Sequence, residues 1–275
     1  MKKKWVSICI MINILFSFLF QTVWASTPKN IRITDVTATE FVISWTTDHK
    51  ETGSVNYLKS DQNISIAKDV RGDISDYIHY IKLKSLSPET LYHFEIISGT
   101  TTDNNHGRYY FAKTSKTIML PVELCKPSGR IIKPQESLSN SAIVYLTIFE
   151  NGDFSETKST LVTNEDYIWH FDLMNFKTLN LDKKFLYSCG ESKIIIEVES
   201  GIDGVAWMIT EAVHSKNATT FRPDMTLKDL PEPDLYGAIL VLKSLAGIGY
   251  FPVFDIGNDL LDIPDVLYML MELKE

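Results

Sequence analysis

Residues 86–92, "LSPETLY", decide how the first half of this chain is read. A proline-containing corner runs into a strand that opens on tyrosine. The Tyr92 ring can then pack inward while its hydroxyl reaches backbone a few residues upstream, an arrangement that belongs to antiparallel sandwiches. Short strand-like runs recur on both sides of this corner. Upstream lie "NIRITDV" (30–36), "EFVISWTT" (40–47), "GSVNYL" (53–58) and "YIHYIKL" (77–83); downstream lie "YHFEIIS" (92–98) and "RYYFAKT" (108–114). Apolar and polar residues alternate within the runs, and Thr, Asp, Gly and Asn cluster between them. Trp45 in the second run is the expected core aromatic on which two sheets close.

Pro28, Trp45, Tyr57, Leu86 and Tyr92 together resemble the framework of a fibronectin type III domain over residues 27–115. The phrases "VISWTT", "GSVNYL" and "LSPETLYHFEI" are similar to the N-terminal domain of purple acid phosphatases. That resemblance implies a fold and no phosphatase activity. The dimetal catalytic domain needs Asp, Asn and His ligands on successive strand ends, and this chain has no such series. The loop "GTTTDNNHG" (99–107) carries His106 at a polar tip, which reads either as a ligand contact or as a solvated hairpin end.

Residues 116–222 continue in β fashion with "SAIVYLTIF" (141–149), "YIWHFDL" (167–173), "KIIIEVES" (193–200) and "GVAWMITEAV" (204–213). In "YIWHF", Tyr167, Trp169 and Phe171 share one face while Ile168 and His170 share the other. Bulk on both faces predicts a central strand. Ser128-Gly129-Arg130-Ile131, then Ser141 to Leu146, then Thr163 to Tyr167 with Trp169 and Phe171, is similar to the carboxypeptidase regulatory-like sandwich. Glu165-Asp166 replaces the Asn-Gly turn of that family, and another immunoglobulin-like sandwich is the alternative. His170 and His214 stand alone, without a nucleophile elbow, a zinc-binding helix or a phosphate loop anywhere in the chain. The expectation is therefore a non-catalytic protein.

The first 25 residues read as a secretory signal peptide, with Lys2, Lys3 and Lys4 before an apolar run and small residues at Val23 and Ala25. An uncleaved anchor is the alternative. Cys9 lacks the small residue that precedes a lipoprotein cleavage site. The 275 residues carry a net charge of −8, and loss of the three leader lysines leaves 24 basic against 35 acidic residues, or −11. Such a balance disfavours nucleic acid and anionic membrane. After cleavage Cys125 and Cys189 remain, which in an oxidising compartment form either a disulfide or two buried thiols. The expected location is secreted, periplasmic or on the cell surface, with no membrane span after cleavage.

The period changes over residues 224–275. Leu235, Ala238, Ile239, Leu242 and Leu245 fall on one helical stripe ended by Gly247, and Val266, Leu267, Leu270 and Leu273 fall on a second. With the Asp-rich stretch between them, these residues resemble a degenerate dockerin or EF-hand-like helix pair. Asp255 and Asp259 stand at the first and fifth positions of a calcium loop, with Asp262 and Asp265 as further carboxylates. Gly257 and Leu260 depart from the pattern, where an oxygen ligand and a glycine are required. The resemblance implies calcium as the one candidate cofactor, and docking of Leu242, Lys243, Leu267 and Tyr268 against a cohesin-like or other surface module.

The fold class expected is mainly β: two antiparallel β-sandwich modules followed by a small α-helical dockerin-like tail. The expected role is protein or glycan attachment at or outside the cell surface. The alternative is an accessory subunit or remnant of a secreted polysaccharide- or phosphoester-processing hydrolase.

Overall fold

The computed structural model describes residues 27–59, 64–118, 125–163, 165–213 and 224–227. The leader and the dockerin-like tail lie outside these residues, and with them the expected helices. The described chain is β throughout, apart from two short 3-10 turns at Leu173–Asn175 and Gly201–Asp203.

Eight strands build the first sandwich. They are β1 (Lys29–Thr34), β2 (Phe41–Glu51), β3 (Gly53–Lys59), β4 (Ser65–Lys68), β5 (Asp76–Leu83), β6 (Leu91–Ser98), β7 (Thr101–Asp103) and β8 (Tyr110–Lys113). One sheet has the order β1-β2-β5; the other has β4-β3-β6, with β7 and β8 dividing the far edge of β6. Phe41, Ile43, Trp45, Val55, Ile81, Phe94 and Ile96 close the core between them, all without exposure. The tyrosine corner forms as the sequence predicts: Tyr92 is buried, and its hydroxyl accepts a hydrogen bond from the Ser87 backbone N–H at 2.8 Å. Strand order and corner together make this sandwich fibronectin type III-like.

Trp45 is fully buried, its indole N–H donating to Ser98 Oγ at 2.8 Å. The His79 ring stacks on it with centroids 4.9 Å apart. Gly53 makes room for both rings, since a Cβ there would lie 2.4 Å from His79 Nδ1. Burial pushes the His79 pKa down from 6.5 to about 4; Arg71 adds to this, while Asp69 and Asp76 oppose it. The folded state therefore refuses a proton that the unfolded state accepts between those two values, so His79 withdraws stability as pH falls through that window. Full withdrawal amounts to about 3 kcal/mol, since each pH unit between the two values is worth about 1.4 kcal/mol. A side-chain NMR titration should find the His79 ring neutral until pH nears 4; a midpoint near the ordinary histidine value would show that the ring is not held in the core.

The second sandwich comprises β9 (Ser128–Ile132), β10 (Ala142–Glu150), β11 (Asp153–Val162), β12 (Ile168–His170), β13 (Lys193–Glu199), β14 (Val205–Glu211) and β15 (Asp224–Thr226). One sheet has the order β11-β10-β13-β14 and the other β12-β9-β15, with β15 parallel to β9. Val144, Leu146, Ile148, Ile194, Ile196 and Val198 form one wall of its core, packed against Ile131, Trp169, Phe171, Phe176 and Met225. Gly129 lies under Trp169, where a Cβ would come within 2.5 Å of the indole ring.

The expectation of a central "YIWHF" strand is corrected. β12 is a three-residue edge strand, with Trp169 buried and His170 exposed. Its pairing with β9 continues at both ends, where the Ile131 N–H donates to the Tyr167 carbonyl and the Phe171 N–H to the Pro127 carbonyl, but no described strand pairs with its other side. Bulk at Ile168 only half-covers an outer surface. The strand buried on both faces is β10, whose residues Ala142 to Ile148 are all buried. The choice left open for the two cysteines is settled: Cys125 and Cys189 are joined in a disulfide with their Cα atoms 5.9 Å apart.

The sandwiches are not beads on a string. The β1-β2-β5 sheet packs face to face on the β11-β10-β13-β14 sheet, making a stack of four layers. Val42, Ile78 and Tyr80 of the first module meet Ile143, Tyr145 and Leu161 of the second. β2 and β10 thus bury both faces, as near-continuous apolar runs do. Polar pairs complete this junction. Ser44 bonds the Tyr145 hydroxyl at 2.8 Å, Thr34 bonds Ser159 at 2.6 Å, and Lys177 donates to the Val36 carbonyl at 2.6 Å.

Candidate interaction surface

The eight residues singled out in the tail (Asp255, Asp259, Asp262, Asp265, Leu242, Lys243, Leu267 and Tyr268) lie outside the described residues, as does His214. His106 and His170 are exposed at the ends of different sandwiches and are not brought together. Among the described residues no group of three His, Cys, Asp or Glu side chains is placed to hold a metal ion. No described helix is long and apolar enough to cross a membrane.

An open cleft of about 740 Å3 runs between the modules beside β1, lined by Ile31, Ile33, Tyr110 and Leu181 together with Arg32 and Glu156. Its three charged residues are already engaged, with Lys29 paired to Asp48 at 3.0 Å. Arg32 is bonded to Glu197 and Glu199, and Glu156 faces Lys177 at 3.5 Å and Lys158 at 3.8 Å. Burial raises the Glu156 pKa, with both lysines opposing. Arg32 and the Lys177 bond to Val36 thus tie the two modules together along this cleft.

The four-layer arrangement leaves two outer faces. On the β12-β9-β15 sheet the outer face is mixed, with Arg130 paired to Asp224 at 2.8 Å beside Ile132 and Ile168. The outer face of the first sandwich is different. Its register sets Ile66 opposite Asn56, Leu58 opposite His93, and His93 opposite Phe111. Ile64 continues the β4 row, and Leu91 stands two residues before His93. The exposures are 64% at Ile64, 66% at Ile66, 64% at Phe111 and 40% at Leu91. The His93 and Phe111 rings lie 6.5 Å apart. A largely apolar stripe therefore crosses the sheet from one edge strand to the other, interrupted at His93 and bordered by the hydrogen-bonded Asn56–Glu95 pair. Single exposed apolar residues need no explanation, but a contiguous row does.

The sequence alone does not find this stripe. "SIAK" is too short to read as a strand, so Ile64 and Ile66 have no face until β4 pairs with β3. Phe111 reads simply as one of three aromatics in "RYYFAKT". In the structure Ala112 is buried and Tyr110 packs against the core, which leaves Phe111 pointing out.

No family model and no curated protein matches the chain. Among solved structures, a two-domain fibronectin type III segment of chicken tenascin is 12% identical, covering 68% of this chain and 99% of that one, with a TM-score of 0.25. The FN1–FN3 domains of chicken CNTN1 are 13% identical, covering 68% and 65% of the two chains, with a TM-score of 0.26. The sensor domain of the anti-sigma factor RsgI4 of Pseudobacteroides cellulosolvens is 18% identical, covering 34% and 99%, with a TM-score of 0.27. Likeness at this level transfers no function, and the fibronectin type III-like assignment rests on this chain's own strand order and tyrosine corner.

Proposed function

We propose that this chain is an exported, non-catalytic protein-binding element that presents the outer β4-β3-β6-β8 face to an apolar surface of a partner protein. The stripe of exposed Ile64, Ile66, Leu91 and Phe111, with half-buried Leu58 among them, carries this reading. Within it aliphatic side chains outnumber aromatic ones. Sugars are gripped by flat aromatic faces, so the composition favours protein over glycan. The Cys125–Cys189 disulfide supports an oxidising compartment and hence export. Locking of the two sandwiches face to face supports a rigid presenting block. Calcium at Asp255, Asp259, Asp262 and Asp265, and cohesin-like docking by the tail, stand beside this reading as a second means of attachment.

The test is a double variant, Ile66→Asp with Phe111→Asp. Both side chains are exposed, so the fold should lose less than about 0.5 kcal/mol. Extracellular proteins of the source organism would be passed over immobilised wild type and variant. A partner retained by wild type should bind the variant at least about tenfold more weakly, a loss of roughly 1.4 kcal/mol from the centre of an interface. Loss of a glycan-array signal instead would transfer the face to sugars. A wild-type dimer that the variant dissolves would make the partner a second copy. Equal retention of the same proteins by both would sink the reading.

A further inference from the structure

Arg32 on β1 reaches across the junction to two carboxylates of β13. It donates through one terminal nitrogen to Glu197 and through the other to Glu199, the latter at 2.9 Å. The three residues are 6%, 6% and 2% exposed. Alternation along β13 sends Ile194, Ile196 and Val198 into the core of the second sandwich, and Glu197 and Glu199 toward the first. Among the described residues Arg32 is the one cation bonded to either carboxylate. Glu197 Oε1, Glu199 Oε2 and Arg32 Nε are buried and lack hydrogen-bond partners. The other facing groups bring no compensating charge. From β10 the Tyr145 ring lies under the guanidinium at 3.9 Å, its hydroxyl shared with Ser44 of β2. From β5, Tyr80 is bonded to Ser159, which Asp35 also holds. Trp207 of β14 pairs beside Glu197 in the sheet and is neutral.

Two ionised carboxylates on one guanidinium would leave a net negative charge in a site shielded from water. Such a charge costs several kcal/mol unless it is neutralised. One proton removes it and supplies an O–H donor where oxygens lack partners. The charges also sit on different modules, Arg32 on the first and the glutamates on the second. Their balance therefore governs the docking of the two sandwiches rather than the fold of either.

We propose that this junction is a proton-operated clamp: Glu199 holds a proton beside the Arg32–Glu197 ion pair while the modules are locked, and its release loosens them. Burial pushes the Glu199 pKa up; Arg32 opposes this and Glu197 adds to it. Docking then takes up a proton. The stabilisation is complete below the ordinary carboxylate value and is lost as pH rises through the elevated one. The clamp tightens in mild acid and slackens toward alkaline pH. This inference is independent of the apolar face.

The full chain and its Glu199→Gln variant would be compared in thermal melts from pH 4.5 to 8.5. Glutamine stands for the protonated acid, so the variant should melt several degrees above wild type at the alkaline end and converge with it at the acid end. A variant weaker by the same margin at every pH would overturn the clamp. Carboxyl-carbon NMR of the wild-type protein reads the same proton without any substitution. The Glu199 carboxyl should titrate above the ordinary range, and an ordinary titration there would refute the proposal even if the variant failed to fold. Solution scattering of wild type should show dimensions growing with pH; constant dimensions would show that the proton, if held, operates nothing.

Discussion

Arg71→Ala is expected to destabilise the protein by about 3–5 kcal/mol, the range for removing one partner of a buried ion pair. Arg71 lies between β4 and β5 with its side chain 11% exposed. It forks onto Asp69 through Nε and one terminal nitrogen, both at 2.8 Å. Its other terminal nitrogen reaches Asp76 at 2.8 Å and crosses the junction to Ser141 Oγ at 2.6 Å. Asp76 in turn accepts from Ser139 and Ser141 of the second module. These bonds hold the Asp76 pKa below the ordinary value against the opposing effect of burial, with Ser141 and the Tyr77 backbone contributing ahead of Arg71. Without Arg71, Asp69 and Asp76 would keep their buried positions and lose their cation. Chemical unfolding should show the loss. Hydrogen exchange should locate it in β5 and around Ser139–Ser141, in both modules at once. A drop confined to the β4–β5 region would mean that Arg71 braces only its own sandwich. Arg71→Lys should recover part of the stability, since a point charge cannot fork onto two carboxylates.

Arg71 also marks where reading the sequence stops. Alternation finds β2, β3, β5, β6, β10, β13 and β14 because each buries one face in its own sandwich, and a period of two is all that this requires. It fails at the second face. Ser44 and Thr46 in β2, and Glu197 and Glu199 in β13, look like water-facing positions. They are buried because a second sheet lies over them. The partner of Glu197 is Arg32, 165 residues earlier, and no local pattern links the two. The same blindness made "YIWHF" look central: bulk on both faces is visible, but whether anything covers the second face is not. Gly129 and Ser141 are legible in part, as the small residues of the carboxypeptidase regulatory-like pattern. Their reasons are physical and local, the first admitting Trp169 and the second bonding Asp76. The apolar stripe is the reverse case. Its residues are ordinary one by one, and only the pairing of β4, β3, β6 and β8 makes them a surface.

Replacing both Cys125 and Cys189 by serine should cost about 2–5 kcal/mol, the usual range for a native disulfide. The bond closes a loop with a sequence separation of 64. For a loop of that length, the restriction of the unfolded chain alone is worth about 4 kcal/mol at 25 °C. The folded state gives the cross-link a specific place to act. Cys125 is fully buried at the start of the second module. Its carbonyl accepts from the Leu173 N–H, while Pro127 accepts from Phe171. Cys189 sits in the exposed turn between Tyr187 and β13, and Gly190 beside it bonds the Ala212 carbonyl. The bridge therefore ties the beginning of the sandwich to the turn feeding its central strands, across the aromatic layer of Trp169, Phe171 and Phe176. The double variant should lose stability, with exchange rising first around residues 125–132 and 168–176. Exposure of Cys189 makes the bond accessible to a thiol reductant, so the reduced wild-type protein should behave as the variant does. Unchanged melting under reducing conditions would mean that the second sandwich stands without the bridge. The disulfide would then give no support to an oxidising compartment, and the argument for export would fall back on the signal-like sequence of the first 25 residues alone.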